Sequence, residues 1–405
     1  MLGAPTFWRV FDIHLSWKPN FLTSFWFTMS QRVKQLPIRL ILVDGPDALH
    51  ELIIPTLACL LTTAGSVDEV YIFLDRQYST YPVTSYLELF TQPLEYVHVG
   101  ASKRPLEPME EDMSGREERE LWYDGHYLHV DIDKIVEHLP LTGRLGLDGI
   151  IIEAKGGRQP SRGWAGLEHL TLWVPSPCSI RLWGMLRDCN RLKYLDMAGP
   201  LMIRDTALPE DKVLETITKL AVHTVINLCP FSRTYPTFIR LQELTVVGSW
   251  LLDQFLETNS TITRLDIVQP MTSLDSLSHT LPQLTHLRLC DIELSGLYTT
   301  SLDAQWPFEK LEDISIHIDD KPLDLDDVEH IIQHRMLRSQ LPNSVATLRK
   351  LELRFEPKAV NVVKSRQWQT SRLLTCAELG LDEDGLDQYT WSERYVARAT
   401  FSAAC

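Results

Sequence analysis

The sequence lacks the cysteine spacings that a disulfide scaffold or a zinc site would require. Its seven cysteines, at positions 59, 178, 189, 229, 290, 376 and 405, are odd in number and include no C-x-x-C pair. Irregular spacing of this kind is typical of reduced, buried thiols. We therefore expect no structural metal and a cytoplasmic or nuclear location, or both.

Long hydrophobic runs are also missing. The longest near the start, "LIIPTLACLL" at 52–61, is about half the length of a membrane span and contains Pro55. The first 30 residues have aromatic side chains but no basic segment followed by an uninterrupted apolar one. We expect neither a secretory leader nor a membrane partner.

Catalytic and cofactor motifs are equally scarce. His330 and His334 would share a helix face, but the glutamate that a metalloprotease needs between them is absent. The acidic "LDEDGLD" at 381–387 lacks the calcium-loop frame, and the glycine-rich 156–166 lacks a phosphate-binding spacing. We interpret these segments, and the charged 107–120, as solvated helix faces or loops, and predict no cofactor and no enzyme. A metal bound stoichiometrically at the two histidines would revive the enzyme alternative.

Positive charge is in deficit, with a formal net charge of -15. Nucleic-acid recognition usually requires a basic face, so this balance argues against nucleic acid as a partner.

The sequence does contain a repeated frame, apolar-x-x-apolar-x-apolar. It starts at positions 167, 192, 217, 241, 262, 284, 311 and 348, in steps of 21 to 27 residues and one step of 37. Weaker copies precede them at 38, 67, 94, 127 and 147. The alternating end of the frame predicts a strand with one buried face, and the residues after it often have helical spacing.

Such units must stack to bury their apolar faces, which predicts an α/β leucine-rich-repeat solenoid with strands inside and helices outside. The asparagine or cysteine usual in these repeats is absent, since its positions hold Pro175, Pro200, Val225, Ser249, Pro270 and Ile292. With the variable spacing, this predicts an irregular, ribonuclease-inhibitor-like horseshoe. We assign 1–36 to an N-terminal lead, 37–357 to the solenoid and 358–405 to a C-terminal cap.

The polar positions of each frame should line the concave face of the horseshoe. Trp173 and Tyr194 are expected side by side in adjacent repeats, where aromatic and arginine side chains anchor interfaces. The alternative is a merely hydrated face, with Trp173 covered by a neighbouring loop. The residues predicted to bind a protein partner are Trp173, Tyr194, Asp196, His223, Arg264, Asp266, Arg288, His317 and Arg354.

Two further segments resemble a family. "APTFWRVFDIHLSW" (4–17), with Pro5, Phe7 and Trp8, is similar to the segment after the box in fungal, basidiomycete-type F-box/leucine-rich-repeat proteins. "FTMSQRVKQLPIRLILVD" (27–44) resembles a second phrase of that family. The residues of this second phrase that match are Ser30, Pro37, Leu40 and Leu42.

The resemblance implies a substrate-recognition subunit of an SCF-type (cullin-RING) ubiquitin ligase, which holds a protein substrate on its repeats. In that family the box binds a Skp adaptor, which connects to the cullin. The box should precede Pro5, and the chain begins at Met1. We expect either a truncated gene or a paralogue without the box. The alternative function is a box-less repeat scaffold with no role in ubiquitin ligation.

Overall fold

The structure is a computed structural model, and its chain divides into two compact units. The first comprises 1–211 and 226–234, and the second comprises 212–225 and 235–405. The described residues are 9–33, 36–45, 47–62, 66–74, 83–90, 92, 94–101, 128–131, 135, 143–148, 150–153, 164–173, 178–180, 186, 189–198, 201–203, 215–223, 237–247, 252–267, 280–290, 308–318, 350–355 and 395–400.

The first unit is built on one parallel sheet whose strands follow chain order. Neighbouring strands pair in parallel, each with the next along the chain. The strands of this sheet are β1 (Val10–His14), β2 (Ile38–Val43), β3 (Val67–Leu74), β4 (Tyr96–Ala101), β6 (Arg144–Asp148), β8 (His169–Trp173) and β10 (Tyr194–Ala198).

Two short parallel pairs accompany this sheet. β5 (Leu128–Asp131) pairs with β7 (Ile150–Glu153), and β9 (Cys178–Ile180) pairs with β11 (Leu201–Ile203). The short strands β7, β9 and β11 directly follow β6, β8 and β10 along the chain, an arrangement that the repeated frame did not predict. After β9, the described residue Leu186 is helical.

Helices are described at the start of the first unit and once in the second. The residues after the frame at 241 have helical spacing, and they form the helix α4 (Leu252–Thr258). The described helices are α1 (Pro19–Val33), α2 (His50–Leu61), α3 (Val83–Leu87) and α4 (Leu252–Thr258). The apolar run at 52–61 lies in α2, where Ile53 and Leu57 are buried. Among the residues described, no helix is long and apolar enough to cross a membrane.

The second unit repeats the parallel arrangement in chain order. Its last described strand pairs antiparallel with the strand before it. The strands are β12 (Lys219–His223), β13 (Glu243–Val247), β14 (Arg264–Ile267), β15 (His286–Cys290), β16 (Asp313–Ile318), β17 (Lys350–Phe355) and β18 (Tyr395–Thr400). β18 comes from the segment assigned to the C-terminal cap.

The core lies under the apolar positions of the frame. In β8, Leu170 and Leu172 are fully buried between exposed or half-buried neighbours, and β1 has the same alternation with Phe11 and Ile13 inside. Each such side chain contributes about 1.5–3 kcal/mol by leaving water. This strand alternation in repeated units, one parallel strand per repeat, is the architecture of a leucine-rich-repeat array, as predicted.

Three of the weak frames were wrong. "IRLILV" at 38 predicts Ile41 and Val43 as buried, but the buried residues of β2 are Ile38, Leu40 and Leu42, so this frame is one residue out of register. "YLHVDI" at 127 forms β5, which pairs with β7 and not with the main sheet, and "LDGIII" at 147 is divided between β6 and β7. The main-sheet strand there is β6, whose frame begins with polar Thr142. The sheet also begins earlier than position 37, because β1 lies in the segment assigned to the lead and pairs with β2.

Candidate functional site

In β2, β3, β4, β6, β8 and β10, the side chains that alternate with the buried ones form three rows across the sheet. We call this surface the polar face. Side chains directly opposite on neighbouring strands lie about 5 Å apart, so each row is a line of contacts. The first row is Arg39, Glu69, Tyr96, Arg144, His169 and Tyr194. The second row is Ile41, Tyr71, His98, Gly146, Thr171 and Asp196, and the third row is Val43, Phe73, Gly100, Asp148, Trp173 and Ala198.

Two arginines and two tyrosines surround one glutamate on this face. Arg39 Nε donates a 2.6 Å hydrogen bond to Glu69 Oε2, and Arg144 Nη2 lies 3.8 Å from Glu69 Oε1. The guanidinium carbon of Arg39 lies 5.6 Å from the centre of the Tyr71 ring, and that of Arg144 lies 5.3 Å from the centre of the Tyr96 ring. The two tyrosine rings meet edge to face at 5.2 Å. We call these five residues the arginine–tyrosine cluster.

The charges of the cluster are coupled. Burial acts to raise the pKa of Glu69, but the hydrogen bond and charge of Arg39 outweigh it, and the pKa lies below its ordinary value. The same hydrogen bond raises the pKa of Arg39. The carboxylate and both guanidiniums are therefore charged at neutral pH, and the cluster carries two positive charges against one negative charge.

His98 lies in a recess floored by glycines. A β-carbon placed on Gly146 would be 2.6 Å from His98 Nδ1 and 2.8 Å from the Tyr96 hydroxyl oxygen, and one on Gly100 would be 3.1 Å from His98 Nε2. The centre of the Tyr71 ring lies 5.7 Å from that of the imidazole. A side chain at Gly146 would therefore force the His98 ring and the Tyr96 hydroxyl to move.

The recess alters the titration of His98. Burial lowers the pKa of its imidazole, and the nearby charge of Asp148 only partly opposes this effect. The Tyr96 hydroxyl lies 3.3 Å from His98 Nδ1. His98 is consequently neutral at pH 7.

The structure separates Trp173 from Tyr194. Tyr194 pairs with His169, whose ring centre is 5.6 Å from its own, whereas Trp173 pairs with Ala198 at the other end of the strands. The prediction that these two aromatics lie side by side is wrong, because they occupy different positions of the frame: Trp173 is six residues after the start at 167, and Tyr194 is two residues after the start at 192. Trp173 is 40% exposed, so it is not fully covered by a loop.

Asp196 is more buried than a contact residue is expected to be. Only 8% of it is exposed, and the Tyr194 hydroxyl donates a 3.4 Å hydrogen bond to its Oδ2. Burial, reinforced by the Asp196 carboxylate, raises the pKa of Tyr194 to about 12. Asp196 therefore orients the Tyr194 hydroxyl, and little of its own side chain is accessible to a partner.

In the second unit, the predicted residues lie among charges that already have partners. Arg264 is 3.8 Å from Asp266 Oδ1, and Asp266 in turn stands opposite Arg288. Elsewhere in this unit Lys219 pairs with Glu243 at 2.8 Å. The remaining predicted residues are His223, half-buried in β12, His317 in β16 and Arg354 in β17, the last two with side chains outside the described residues.

Several sequence motifs fall outside the described residues. These are His330 and His334, the segments 107–120 and 381–387, and the positions where the asparagine of the repeat would lie. Of the glycine-rich 156–166, only the 3₁₀ turn Trp164–Gly166 is described. Within the described part of the chain, no group of three or more metal-ligating side chains is close enough to hold a metal ion.

Sequence reasoning missed the arginine–tyrosine cluster. The frames at 67 and 94 place Glu69, Tyr71, Tyr96 and His98 in polar positions, but the candidate residues were taken only from the regular frames that begin at 167. The sequence analysis did not find the strand of Arg144, because its frame starts with the polar residue Thr142. Reading the frames at 67 and 94 in the same way would have found three members of the cluster, Glu69, Tyr71 and Tyr96, but the frame at 38 is out of register and would have missed Arg39.

Comparisons with known proteins do not identify a family or a function for this chain. The chain matches no family profile and no curated protein. Among solved structures it is similar to an internalin from Listeria monocytogenes, with 13% sequence identity, a TM-score of 0.34, and coverage of 67% of this chain and 73% of that chain. The architecture described above rests on the strand order and the repeat itself.

Proposed function

We propose that this chain is a protein-binding repeat protein and that it acts as the substrate-recognition subunit of an SCF-type ubiquitin ligase. The observation that carries the binding function is the row arrangement of the polar face, which presents Trp173 at 40% exposure and the half-exposed arginines Arg39 and Arg144. Tryptophan, tyrosine and arginine are the residues that dominate protein interfaces energetically.

The ligase role is supported by the resemblance of 4–17 and 27–44 to F-box/leucine-rich-repeat proteins. In such an assembly a Skp adaptor and a cullin would join the chain to the ubiquitylation machinery, and the repeats would hold the substrate. The alternative, a box-less scaffold, uses the same polar face without these partners. An enzymatic role has no supporting constellation among the described residues.

Site-specific photocrosslinking tests the binding function. A photoreactive phenylalanine analogue replaces Trp173 on the polar face in one version of the chain, and exposed Gln31 on α1 in the matched control. After irradiation in an extract of the source cells, position 173 should give discrete protein adducts that position 31 does not give. Identical adduct patterns, or none at 173, would contradict binding on this face.

Purified components separate the two proposed roles. The full chain is mixed with a Skp adaptor and recovered by an affinity tag. Stoichiometric recovery of the adaptor favours the ligase subunit, whereas adducts at 173 without adaptor recovery favour the scaffold.

A further inference from the structure

The arginine–tyrosine cluster has more positive charge than its own carboxylate neutralises. Glu69 is shared by Arg39 and Arg144, and it accepts a short hydrogen bond only from Arg39. A guanidinium has five N–H donors, so most donors of both arginines lack an acceptor among the described residues. Their side chains are 45% and 43% exposed, which leaves these donors accessible to a partner.

The arginines are also held in place before any partner arrives. Each guanidinium lies over a tyrosine ring, Arg39 over Tyr71 and Arg144 over Tyr96, and the rings themselves are in contact. Stacking and the Glu69 contact already restrict the rotamers of both arginine side chains, whereas an unrestrained arginine would lose this freedom only on binding a partner. Preorganised donors therefore spend less conformational entropy on a ligand.

The position of Glu69 determines which kind of anion fits. Because its carboxylate lies between the guanidiniums, a single doubly charged group bridging both arginines would meet its repulsion. Two separate single charges, one on the outer side of each arginine, avoid this. Arg39 and Arg144 lie three strands apart in their row, about 14 Å between backbones, and side chains two or four residues apart on one face of an extended peptide are separated by about 6.7 or 13 Å, which spans two such positions.

From this geometry we infer that the cluster is a docking site for an extended acidic segment of a protein partner, with one carboxylate on Arg39 and the other on Arg144. The inference rests on the proposed protein-binding function and specifies the chemistry of the partner. Glu69 then acts as an internal competitor that occupies the arginines when no partner is bound.

Fluorescence polarisation with short labelled peptides tests the inference on the full 405-residue chain. The probes are a peptide containing Glu-Ser-Glu-Ser-Glu, the same peptide with glutamine in place of glutamate, and one with a single phosphoserine. We expect the glutamate peptide to bind at least about tenfold more tightly than the glutamine peptide, the effect of losing one charge-assisted contact.

Three variants assign the effect to the cluster. The double change Arg39→Gln and Arg144→Gln should weaken binding of the glutamate peptide by about tenfold or more. Glu69→Gln keeps the shape of the side chain but removes the competing charge, so it should tighten binding roughly threefold. Arg191→Gln, at an exposed arginine bonded to Glu168, removes one positive charge outside the cluster and should leave affinity unchanged.

Each other outcome overturns the inference. If the arginine changes leave binding of the glutamate peptide unchanged, the peptide binds outside the cluster, whatever the effect of Glu69→Gln. If only the phosphopeptide binds, the ligand is phosphate and not carboxylate. If no peptide binds, the docking site is absent, while photocrosslinking at position 173 still measures the proposed function independently. Circular dichroism of every variant verifies folding, and the gain expected of Glu69→Gln cannot arise from misfolding.

Discussion

At the residue scale, the chemistry of the polar face is set by neighbours across strands. His98 is an ordinary polar position in its own strand, yet Tyr71, Tyr96 and two glycines from β4 and β6 enclose it. That enclosure lowers the pKa of the imidazole. His98 is thereby a half-buried, neutral histidine whose charge state depends on its surroundings.

Stability should fall on acidification because of His98. Its pKa in the folded chain lies below the ordinary value of about 6.5, so the unfolded chain takes up the proton first as the pH falls. The contribution of neutral His98 to the free energy of unfolding is therefore present above about pH 6.5 and is progressively lost below that pH. Urea unfolding at pH 7.5 and 5.5 should show a smaller pH-dependent loss for His98→Asn than for the wild type. Equal losses in both chains would contradict this assignment.

Gly146→Ala tests the recess directly. The new β-carbon would lie 2.6 Å from His98 Nδ1 and 2.8 Å from the Tyr96 hydroxyl oxygen, so both rings must move. We expect a loss of about 1–3 kcal/mol in the free energy of unfolding, as for other overpacked sites. Gly143→Ala is the control, because a β-carbon there meets no atom within 4 Å. The measurement is chemical denaturation, and equal stability of the two variants would show that the recess has room to adjust.

At the element scale, the repeat is longer than the six-residue frame. A buried residue lies three positions before the first apolar residue of the frame, and its carbonyl accepts a hydrogen bond from that residue, as in Trp164 with Leu167 and Phe308 with Leu311. In several repeats from β6 onward, a carbonyl just before the strand also accepts bonds from two consecutive N–H groups of the following repeat, as Thr263 does from Thr285 and His286. These backbone bonds fix the register of successive strands.

Asn259 is the polar exception at this buried position. Its Oδ1 accepts a 2.6 Å hydrogen bond from the backbone N–H of Phe238 in the preceding repeat, and its Nδ2 donates to the Phe255 carbonyl at 2.8 Å. It is 1% exposed. The side chain thus ties two repeats together, although it does not occupy the usual asparagine position of such repeats.

Asn259→Ala should cost about 1–3 kcal/mol in the free energy of unfolding, because it removes the acceptor of a buried N–H. Asn259→Leu, which imitates Leu281 at the same position of another repeat, should not restore the loss, since leucine cannot accept a hydrogen bond. Ser260→Ala, at the exposed neighbouring residue, should change stability by less than about 0.5 kcal/mol. Thermal and urea unfolding would measure all three, and full rescue by leucine would show that burial alone matters.

At the scale of the whole molecule, the net charge decides which ligands are attracted over a long range, and a local patch of opposite charge does not. The chain has a net charge of -15, and Lys219 with Glu243, and His286 with Asp313, stand as close pairs in the second unit. The arginine–tyrosine cluster is a local positive excess in an acidic chain. Long-range attraction therefore does not help an anion to reach it, and recognition depends on contact.

Binding to duplex DNA should consequently be absent at physiological salt. A polyanion would be repelled by the net charge, and two arginines are too few to release many counterions. Gel-shift titration of a random duplex up to about 100 μM protein should show no complex, which would place the affinity below the usual non-specific range of about 10⁻⁴–10⁻⁶ M. A salt-dependent complex in the micromolar range would contradict this reading of the charge distribution.

Much of the fold could be predicted because its rules are local. The strong frames from 167 onward predicted β8, β10, β12, β13, β14, β15, β16 and β17, since alternating burial is encoded in consecutive residues. β6 was missed because Thr142 replaces an apolar residue and the frame search required one. β1 was missed although "WRVFDI" fits the frame, because the segment had been assigned to the N-terminal lead. The candidate site was less predictable, because the arginine–tyrosine cluster depends on Arg39, whose frame was out of register, and on Arg144, whose strand was missed.

The amino-acid sequence by itself determined that the chain repeats, which side chains in each strand are buried, and that acidic charge prevails. These properties depend on the order of residues a few positions apart, so local periodicity is sufficient to specify them. Only the tertiary structure decided that Arg39, Glu69, Tyr96 and Arg144 share one row, and that Asn259 joins two repeats. Those relationships connect residues 21 or more positions apart, and they exist only after the strands pair in a definite register.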